Sequence, residues 1–459
     1  MRIESIEVVD LFDFYCYEIE MKKHNPISII HAPNGYGKTT VFRMIRNILM
    51  LNVVEIYSVP FKEFILRLSD NICIGVNKEI QSRGAEGLME FGTLRMDLKR
   101  GRKKNVVLEL PLNSRVIEII KQEGLEEFIQ RIEMRRRRVP AEAREEEPFN
   151  LTKAYEKLSQ ELESIRQELE INFIDSNRLF SHPRRPARRG TNIDQRVDSR
   201  TMYIREDRMP FSDDRTFESS NENIVKDAKD INERIRTVRQ QYSLEAENLD
   251  RNFPDRLVEF VESSKEAFSD KQILDGLTKL EEKRKELENA GLVFTGKKSL
   301  STTAVKDVTM RKFYTLYIQD TLKKLSYYDD IKLKLELFLE IINNYTSFSN
   351  KVLKIDYERG LVFEPKESHA KIKHYIPLDS LSSGEKHDFI MFYELIFKSG
   401  ENSVFLIDEP EISLHVAWQM EFINILQRIC ELNGMQAIIA THSPDIVNGH
   451  DDLLISLGL

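Results

Sequence analysis

Several things are scarce in this sequence, and each shortage excludes something. Only three cysteines occur in 459 residues, Cys16, Cys73 and Cys430, widely separated and flanked by apolar residues. That spacing builds neither a disulfide frame nor a thiolate metal site, and it leads to the expectation of buried, reduced thiols. No apolar run approaches the roughly 20 residues of a membrane span, so no membrane partner is expected. The start, Met1-Arg2-Ile3-Glu4-Ser5-Ile6, lacks the basic-then-apolar layout of a secretory signal, which gives a cytoplasmic location as the expectation. An excess of basic charge is also missing. With 68 Lys and Arg against 76 Asp and Glu, the net charge of -8 argues against a protein that coats nucleic acid wholesale.

Charge itself is abundant, at 31% of residues, and two runs are locally basic: Arg135-Arg136-Arg137-Arg138, and Arg184, Arg185, Arg188 and Arg189 among prolines. Each can be read as a contact for phosphate backbones or as a solvated loop; for the first run, Glu142 and Glu145-Glu146-Glu147 lie close enough in sequence to offset it.

Two stretches almost a whole chain apart carry the chemistry. Near the start, Pro26-Ile27-Ser28-Ile29-Ile30 reads as a central strand that runs into His31-Ala32-Pro33-Asn34-Gly35-Tyr36-Gly37-Lys38-Thr39-Thr40 and then into a helix with apolar residues at Val41, Phe42, Met44, Ile45, Ile48 and Leu49. Strand, glycine-containing loop and helix in that order form a phosphate-binding loop. Ala32 stands where the first glycine of the consensus is usual. Gly35 and Gly37 let backbone amides approach phosphate oxygens, Lys38 bridges the terminal phosphates, and Thr39 offers a hydroxyl to Mg2+. Asn34, Tyr36 and Thr40 complete the expected nucleotide contacts.

Near the end, the apolar strand Phe405-Leu406-Ile407 emerges into Asp408-Glu409-Pro410. Asp408 is expected to organise the Mg2+ shell, and Glu409 to orient and deprotonate an attacking water. His442, after the apolar strand Met435 to Ala440, is placed to sense a γ-phosphate. Leu381-Ser382-Ser383-Gly384-Glu385-Lys386 opens a helix with small residues at its N-terminus, an anion site by helix-end geometry, with a plain Ser cap as the other reading.

Between these ends, Met1 to Val9 and Tyr15 to Met21 alternate as a first hairpin. A helix is expected over Phe61 to Leu68, then strands over Ile72 to Val76, Gly92 to Leu98 and Asn105 to Leu110, the last two joined through Lys99 to Lys104. Ser114 to Arg137 and Leu151 to Leu169 read as helices separated by a polar linker with Pro140 and Pro148, and Ile171 to Asp175 as a strand. Residues 1–183 then form the N-terminal lobe of a split nucleotide-binding core, 184–220 an irregular charged excursion, 221–345 a helical insertion and 346–459 the C-terminal lobe. Breaks at Pro254 and at Ala290 to Gly296 divide the insertion into antiparallel helices; a short coiled-coil arm and a globular helical subdomain both fit its imperfect heptads. Strands are expected at Val352 to Tyr357, Leu361 to Phe363, Ser403 to Ile407 and Met435 to Ala440, with a helix over Val416 to Leu432. The last strands are apolar on both faces, as parallel central strands are. The fold class is α/β, a mixed sheet with flanking helices split in sequence.

The combination of Ala32 to Thr40, Leu381 to Glu385, Phe405 to Pro410 and Thr441-His442 resembles the ABC-type ATPases, in the branch of SMC, RecF and the ATPases of overcoming-lysogenisation-defect nucleases. The resemblance implies an ABC-ATPase head, ATP and Mg2+ as ligands, and a head-to-head homodimer. In that dimer Ser382, Ser383 and Gly384 contact the γ-phosphate held by the partner, and Ser413 and Leu414 fall in the loop that crosses the interface. Ser383 departs from the Gly many SMC-like proteins carry. The wording Phe173-Ile174-Asp175-Ser176-Asn177-Arg178 and Ser382-Ser383-Gly384-Glu385-Lys386-His387, and an ending shortly after His442, are most similar to the ATPase-subunit family of the PARIS anti-phage defence system and next to that of Septu. That likeness implies higher homo-oligomers, a separately encoded TOPRIM-type effector nuclease and a phage protein as trigger. An SMC- or RecF-like repair or recombination ATPase, with nucleic acid as partner, is the alternative. The long helical insertion argues against a transporter subunit.

Overall fold

The computed structural model describes residues 1–83, 89–102, 105–137, 150–176, 217–263, 266–294, 307–346, 349–366, 375–412 and 414–457. They fall into two compact units, residues 1–177 with 399–459, and residues 178–398. By this division residues 346–398, read above with the C-terminal lobe, group with the helical residues. The basic run at 184–189, Arg138, the side chains of residues 135–137, the linker around Pro140 and Pro148, and Ser413 lie outside the described residues.

In the first unit, strand hydrophobicity sorts the sheets. Strands β1 (Ile3–Leu11), β2 (Tyr15–Glu20), β4 (Glu63–Leu68), β5 (Ile72–Arg83), β6 (Met89–Arg100) and β7 (Val106–Leu112) form an antiparallel sheet in the order β2-β1-β4-β5-β6-β7. β4 and β7 bury every second residue, the period of a sheet with one dry face. Strands β3 (Ile27–His31), β8 (Glu170–Asp175), β11 (Ser403–Asp408), β12 (Gln436–Thr441) and β13 (Leu454–Ser456) form a parallel sheet in the order β13-β3-β12-β11-β8. β11 and β12 are buried along their whole length, as strands with two covered faces must be.

Helix α1 (Lys38–Leu49) buries Val41, Phe42, Met44, Ile45, Ile48 and Leu49 in a core shared with both sheets, which also takes in Ile6 and Leu66 of one and Leu406 and Ile438 of the other. Helices α2 (Val53–Ser58), α3 (Ser114–Glu123), α4 (Leu125–Arg137) and α5 (Leu151–Glu168) complete this flank.

Three expectations need correction. Phe61 to Leu68 holds strand β4 where a helix was expected: Phe64, Leu66 and Leu68 at 1%, 0% and 1% exposure form a period-two face that outweighs helical propensity. Ser114 to Arg137 is two helices, because Gly124 adopts a φ of 93° at the C-cap of α3, outside helical space. The cysteines are not uniformly buried: Cys430 is, Cys73 is half-buried, and Cys16 faces solvent on the outer side of β2.

The second unit contains α6 (Phe217–Arg251), α7 (Phe253–Glu262), α8 (Asp270–Asn289), α9 (Val308–Ser326), α10 (Asp329–Tyr345), the hairpin β9 (Lys351–Asp356) and β10 (Gly360–Pro365), and α11 (Ser383–Phe397). Phe217 to Ser220, read as the end of the charged excursion, already belong to α6. Helix breaks at Asn252, ahead of Pro254, and after Asn289 fall where expected. Polar clamps tie the helices together. Arg256 of α7 forms a two-pronged pair with Asp320 of α9 at 2.9 and 2.6 Å, and Lys312 donates to the carbonyls of Phe260, Val261 and Ser263 at the end of α7. Phe338 of α10 packs edge-on against Phe389 and Phe397 of α11. Phe338→Ala should therefore unfold at lower denaturant concentration, by about 3 to 5 kcal/mol for a fully buried aromatic, as read by chemical denaturation.

Back in the first unit, Lys78 is buried with its ammonium over the Phe61 ring at 4.2 Å, and it donates to the carbonyls of Tyr57 and Val59 at the end of α2. Burial pushes its pKa from 10.5 down to about 7. The unfolded chain then binds the extra proton between those values, so this group's contribution is fully present above about 10.5 and is lost as pH falls toward about 7. Lys78→Met should remove that part of the slope in a plot of unfolding free energy against pH.

Candidate functional site

Parallel register brings the ends of four strands into line. Asp408 pairs with Ala440 of β12 on one side and with Asp175 of β8 on the other, while Thr441 pairs with His31 of β3. The loops that follow β3, β11 and β12 therefore open along one carboxyl edge, where open α/β sheets bind ligands.

The phosphate loop occupies the β3 end. Gly35 and Gly37 have φ of 90° and 79°, a left-handed conformation that lets the chain turn into α1. Gly37 is the N-cap of α1 and offers no side chain, so the first N–H groups of the helix are left for a ligand. A Cβ at Gly37 would stand 2.8 Å from Leu11 Cδ2, whereas nothing lies within 4 Å of one at Gly35. Ala32 is buried in the core, which explains how a methyl is accommodated where the consensus has Gly. Asn34 is exposed, and Tyr36 stacks on Tyr15 at 5.3 Å while its carbonyl accepts from the Tyr17 hydroxyl at 2.9 Å. Lys38 is folded back onto its own loop, donating to the Ala32 carbonyl at 2.5 Å and the Pro33 carbonyl at 3.1 Å. Burial lowers its pKa, partly opposed by the field of Glu409, Asp408 and Glu411.

Asp408 is the most enclosed charge of the site, at 0% exposure. Burial raises its pKa to about 6, reinforced by Asp175 and Glu409 and opposed by Thr39 and Arg43. Neither carboxylate oxygen has a hydrogen bond of good geometry, although the Thr39 hydroxyl is near enough to influence it. A buried carboxylate in that condition calls for a cation, and a hydroxyl plus one carboxylate, with phosphate and water oxygens, suits Mg2+. Asp175, the neighbour across the sheet, is held instead by Arg43 of α1 at 3.0 Å.

Three features beyond the sequence reading emerge here. Glu409 has a φ of 49°, a left-handed backbone that a non-glycine residue rarely adopts, anchored by its N–H on the Ala440 carbonyl at 2.8 Å. Glu411, with 8% of its side chain exposed, accepts from the Thr441 hydroxyl at 2.7 Å and the His442 N–H at 3.1 Å, and faces His442 Nδ1 at 3.0 Å. Gln419 donates to the Glu411 and Leu414 carbonyls and accepts from the Ser443 hydroxyl. That pinning belongs to α12 (Val416–Gln419), which is separate from α13 (Phe422–Asn433), so the single helix expected over Val416 to Leu432 is two. Only the sequence Asp408-Glu409-Pro410-Glu411 could have pointed to Glu411. The register of Asp175 against Asp408 had no local signal at all. Leu414 is buried.

The second cluster, in the other unit, is the start of α11. Ser382 is its N-cap in a reciprocal capping box: Glu385 N–H donates to the Ser382 hydroxyl at 3.3 Å, and Ser382 N–H to Glu385 Oε2 at 2.7 Å. Ser382 and Ser383 are exposed, and a Cβ on Gly384 would meet nothing within 4 Å. Glu385 is engaged by Lys351 at 2.8 Å and by the Ser349 hydroxyl at 2.7 Å. Burial raises the Glu385 pKa, but these partners outweigh it and the net shift is downward. Its carboxylate thus stiffens the motif, while the serine and glycine positions present the open surface.

The left-handed Glu409 makes a test of site strain. Glu409→Gly should raise stability by about 1 kcal/mol, because glycine adopts that backbone without penalty. Denaturant unfolding measures this without reference to activity.

A family model described as an AAA ATPase domain matches residues 1–447. UvrABC system protein A of Listeria monocytogenes is 33% identical over 82 residues, 18% of this chain and 8% of that protein. Its counterpart in Oceanobacillus iheyensis is 27% identical over 124 residues, 27% of this chain and 12% of that protein. The matches therefore span about a tenth of the length of these relatives. Among solved structures, an SMC head bound to the C-winged helix domain of ScpA aligns with 99% of this chain and 94% of its own at a TM-score of 0.32 and 9% identity, too slight a likeness to carry function. No helix among the described residues is long and apolar enough to cross a membrane. With the family model matched over nearly its whole length, the chain belongs to the AAA ATPase domain family.

Proposed function

We propose that the chain binds ATP with Mg2+ at the carboxyl edge of its parallel sheet and hydrolyses it. The observation that carries this reading is that Lys38 and Thr39 at the start of α1, Asp408 at the end of β11, and Glu409 and His442 just beyond β11 and β12 follow three adjacent parallel strands. Lys38 leaves the Ala32 and Pro33 carbonyls to meet the terminal phosphates, and the amides of Gly35 to Thr40 surround them. Thr39 and Asp408 would hold Mg2+, which supplies charge neutralisation on the phosphates. Glu409 orients the attacking water and takes its proton, and His442 contacts the γ-phosphate. Ser382, Ser383 and Gly384 close over the ATP of a second copy, so the working unit is a homodimer, which assembles further. The two units of one chain then supply opposite halves of two sites.

In its cell the ATPase acts as sensor and scaffold of an anti-phage defence system, holding a separate TOPRIM-type nuclease until a phage protein triggers release. The motif wording supports this reading, and recovery of the protein from its own operon without any nuclease partner would sink it. A second reading, a DNA-binding repair or recombination ATPase, is supported by the locally basic runs of the sequence. It predicts DNA-stimulated hydrolysis and a binding constant whose logarithm falls linearly with log salt.

For the site itself, Lys38→Ala should abolish nucleotide binding in equilibrium titrations. Glu409→Gln should keep ATP bound and trap the dimer, lowering kcat by about 100-fold or more, the scale of a lost general base. Hydrolysis by Glu409→Gln at the normal rate would remove Glu409 from that role.

A further inference from the structure

Glu411 has no part in the chemistry proposed above, yet one oxygen of its carboxylate is held from two adjacent residues, Thr441 and His442. Its side chain is more than nine-tenths buried, and a single oxygen, Oε1, receives the Thr441 hydroxyl at 2.7 Å and the His442 backbone N–H at 3.1 Å, while His442 Nδ1 stands 3.0 Å from the same oxygen, within charge-pair range. Glu409 Oε1 stands farther from the same nitrogen, at 3.9 Å. From its main-chain side, Glu411 is held through its carbonyl by Gln419, whose own oxygen accepts from Ser443. Ser443 N–H in turn donates to the Thr441 hydroxyl at 3.0 Å. The loop after β11 and the loop after β12 are thereby closed into one ring of hydrogen bonds beside His442.

From this geometry we infer that Glu411 is the positioning residue for His442, holding the proton of the ring on Nδ1 and so making Nε2 the nitrogen that meets the ligand. An unrestrained imidazole rotates and distributes its proton over both nitrogens. A carboxylate fixed at 3.0 Å from Nδ1, and bound to the same residue's backbone N–H, removes both freedoms at once. A carboxylate orienting an imidazole from behind is a general device, and its loss acts on the rate through the imidazole. Because Glu411 lies on the same short segment as Glu409, the ring also fixes the spacing between the proposed base and His442. The inference rests on the proposed nucleotide site for its kinetic meaning, while the tautomer it assigns is a property of the protein alone.

Two measurements test it. With isotope-labelled histidine rings, His442 in the full chain should show its proton on Nδ1, assigned by the signal lost in His442→Gln; Glu411→Ala should abolish that preference, and Glu411→Gln, which keeps an acceptor oxygen, should restore it. An unchanged tautomer in Glu411→Ala overturns the inference, whether or not the protein hydrolyses ATP. In steady-state kinetics, Glu411→Ala should lower kcat by about 10- to 100-fold with the ATP dissociation constant unchanged. The Glu411→Ala, His442→Ala double variant should be no slower than His442→Ala alone. Losses that add in the double variant assign Glu411 a merely structural role and overturn the inference. A wild-type protein that binds ATP without turning it over would overturn the proposed hydrolysis, and the tautomer result would still decide the role of Glu411.

Discussion

The site depends on one constraint, the parallel pairing of β12 between β3 and β11. Those strands begin at residues 27, 403 and 436, so the pairing of β12 with β3 closes a chain separation of just over four hundred residues. Once Ala440 lies opposite both Ile30 and Asp408, the phosphate loop, the acidic pair and His442 have nowhere to emerge except one edge. The apolar residues on both faces of β11 and β12 make that register costly to slip, because any shift would carry Asp408 into the core or expose the flanking aliphatics. Core packing and site geometry are thus enforced by the same side chains.

Burial also explains the electrostatics. Asp408 sits where its charge is least welcome, near Asp175 and Glu409, with Arg43 and Thr39 moderating it. Lys38 meets the complementary problem and settles on backbone carbonyls. On the proposed reading, a nucleotide with its cation would resolve both conditions together, the lysine moving to phosphate and the carboxylate to metal. The left-handed Glu409 fits the same pattern of local strain held in place by surrounding structure.

Much of this was legible in the sequence, for identifiable reasons. The phosphate loop was readable because strand, glycines, lysine and helix are contiguous, and β11 and β12 because apolar residues continue on both faces. The strand at Phe64, Leu66 and Leu68 was not, since six residues fit a helix turn as well as a period-two face until partners on both sides decide. Gly124 divides a helix whose polar pattern runs on without interruption. Glu411, Gln419 and Asp175 were missed for a different reason: their partners are set by tertiary register, and nothing in a carboxylate's neighbours reveals that a histidine thirty-one residues away will share its oxygen. Glu385 shows the opposite case, a residue whose motif position suggested ligand contact and whose carboxylate caps its own helix and pairs with Lys351.

The central claim, that the carboxyl edge of the parallel sheet is a joint phosphate and Mg2+ site, is most directly tested by titrating ATP against the native chain and Asp408→Asn, each with and without Mg2+. The account predicts that withdrawing Mg2+ weakens ATP binding to the native chain by about tenfold or more and leaves the affinity of Asp408→Asn nearly unchanged. Equal losses in both proteins would contradict it, since the metal would then be held somewhere other than at Asp408.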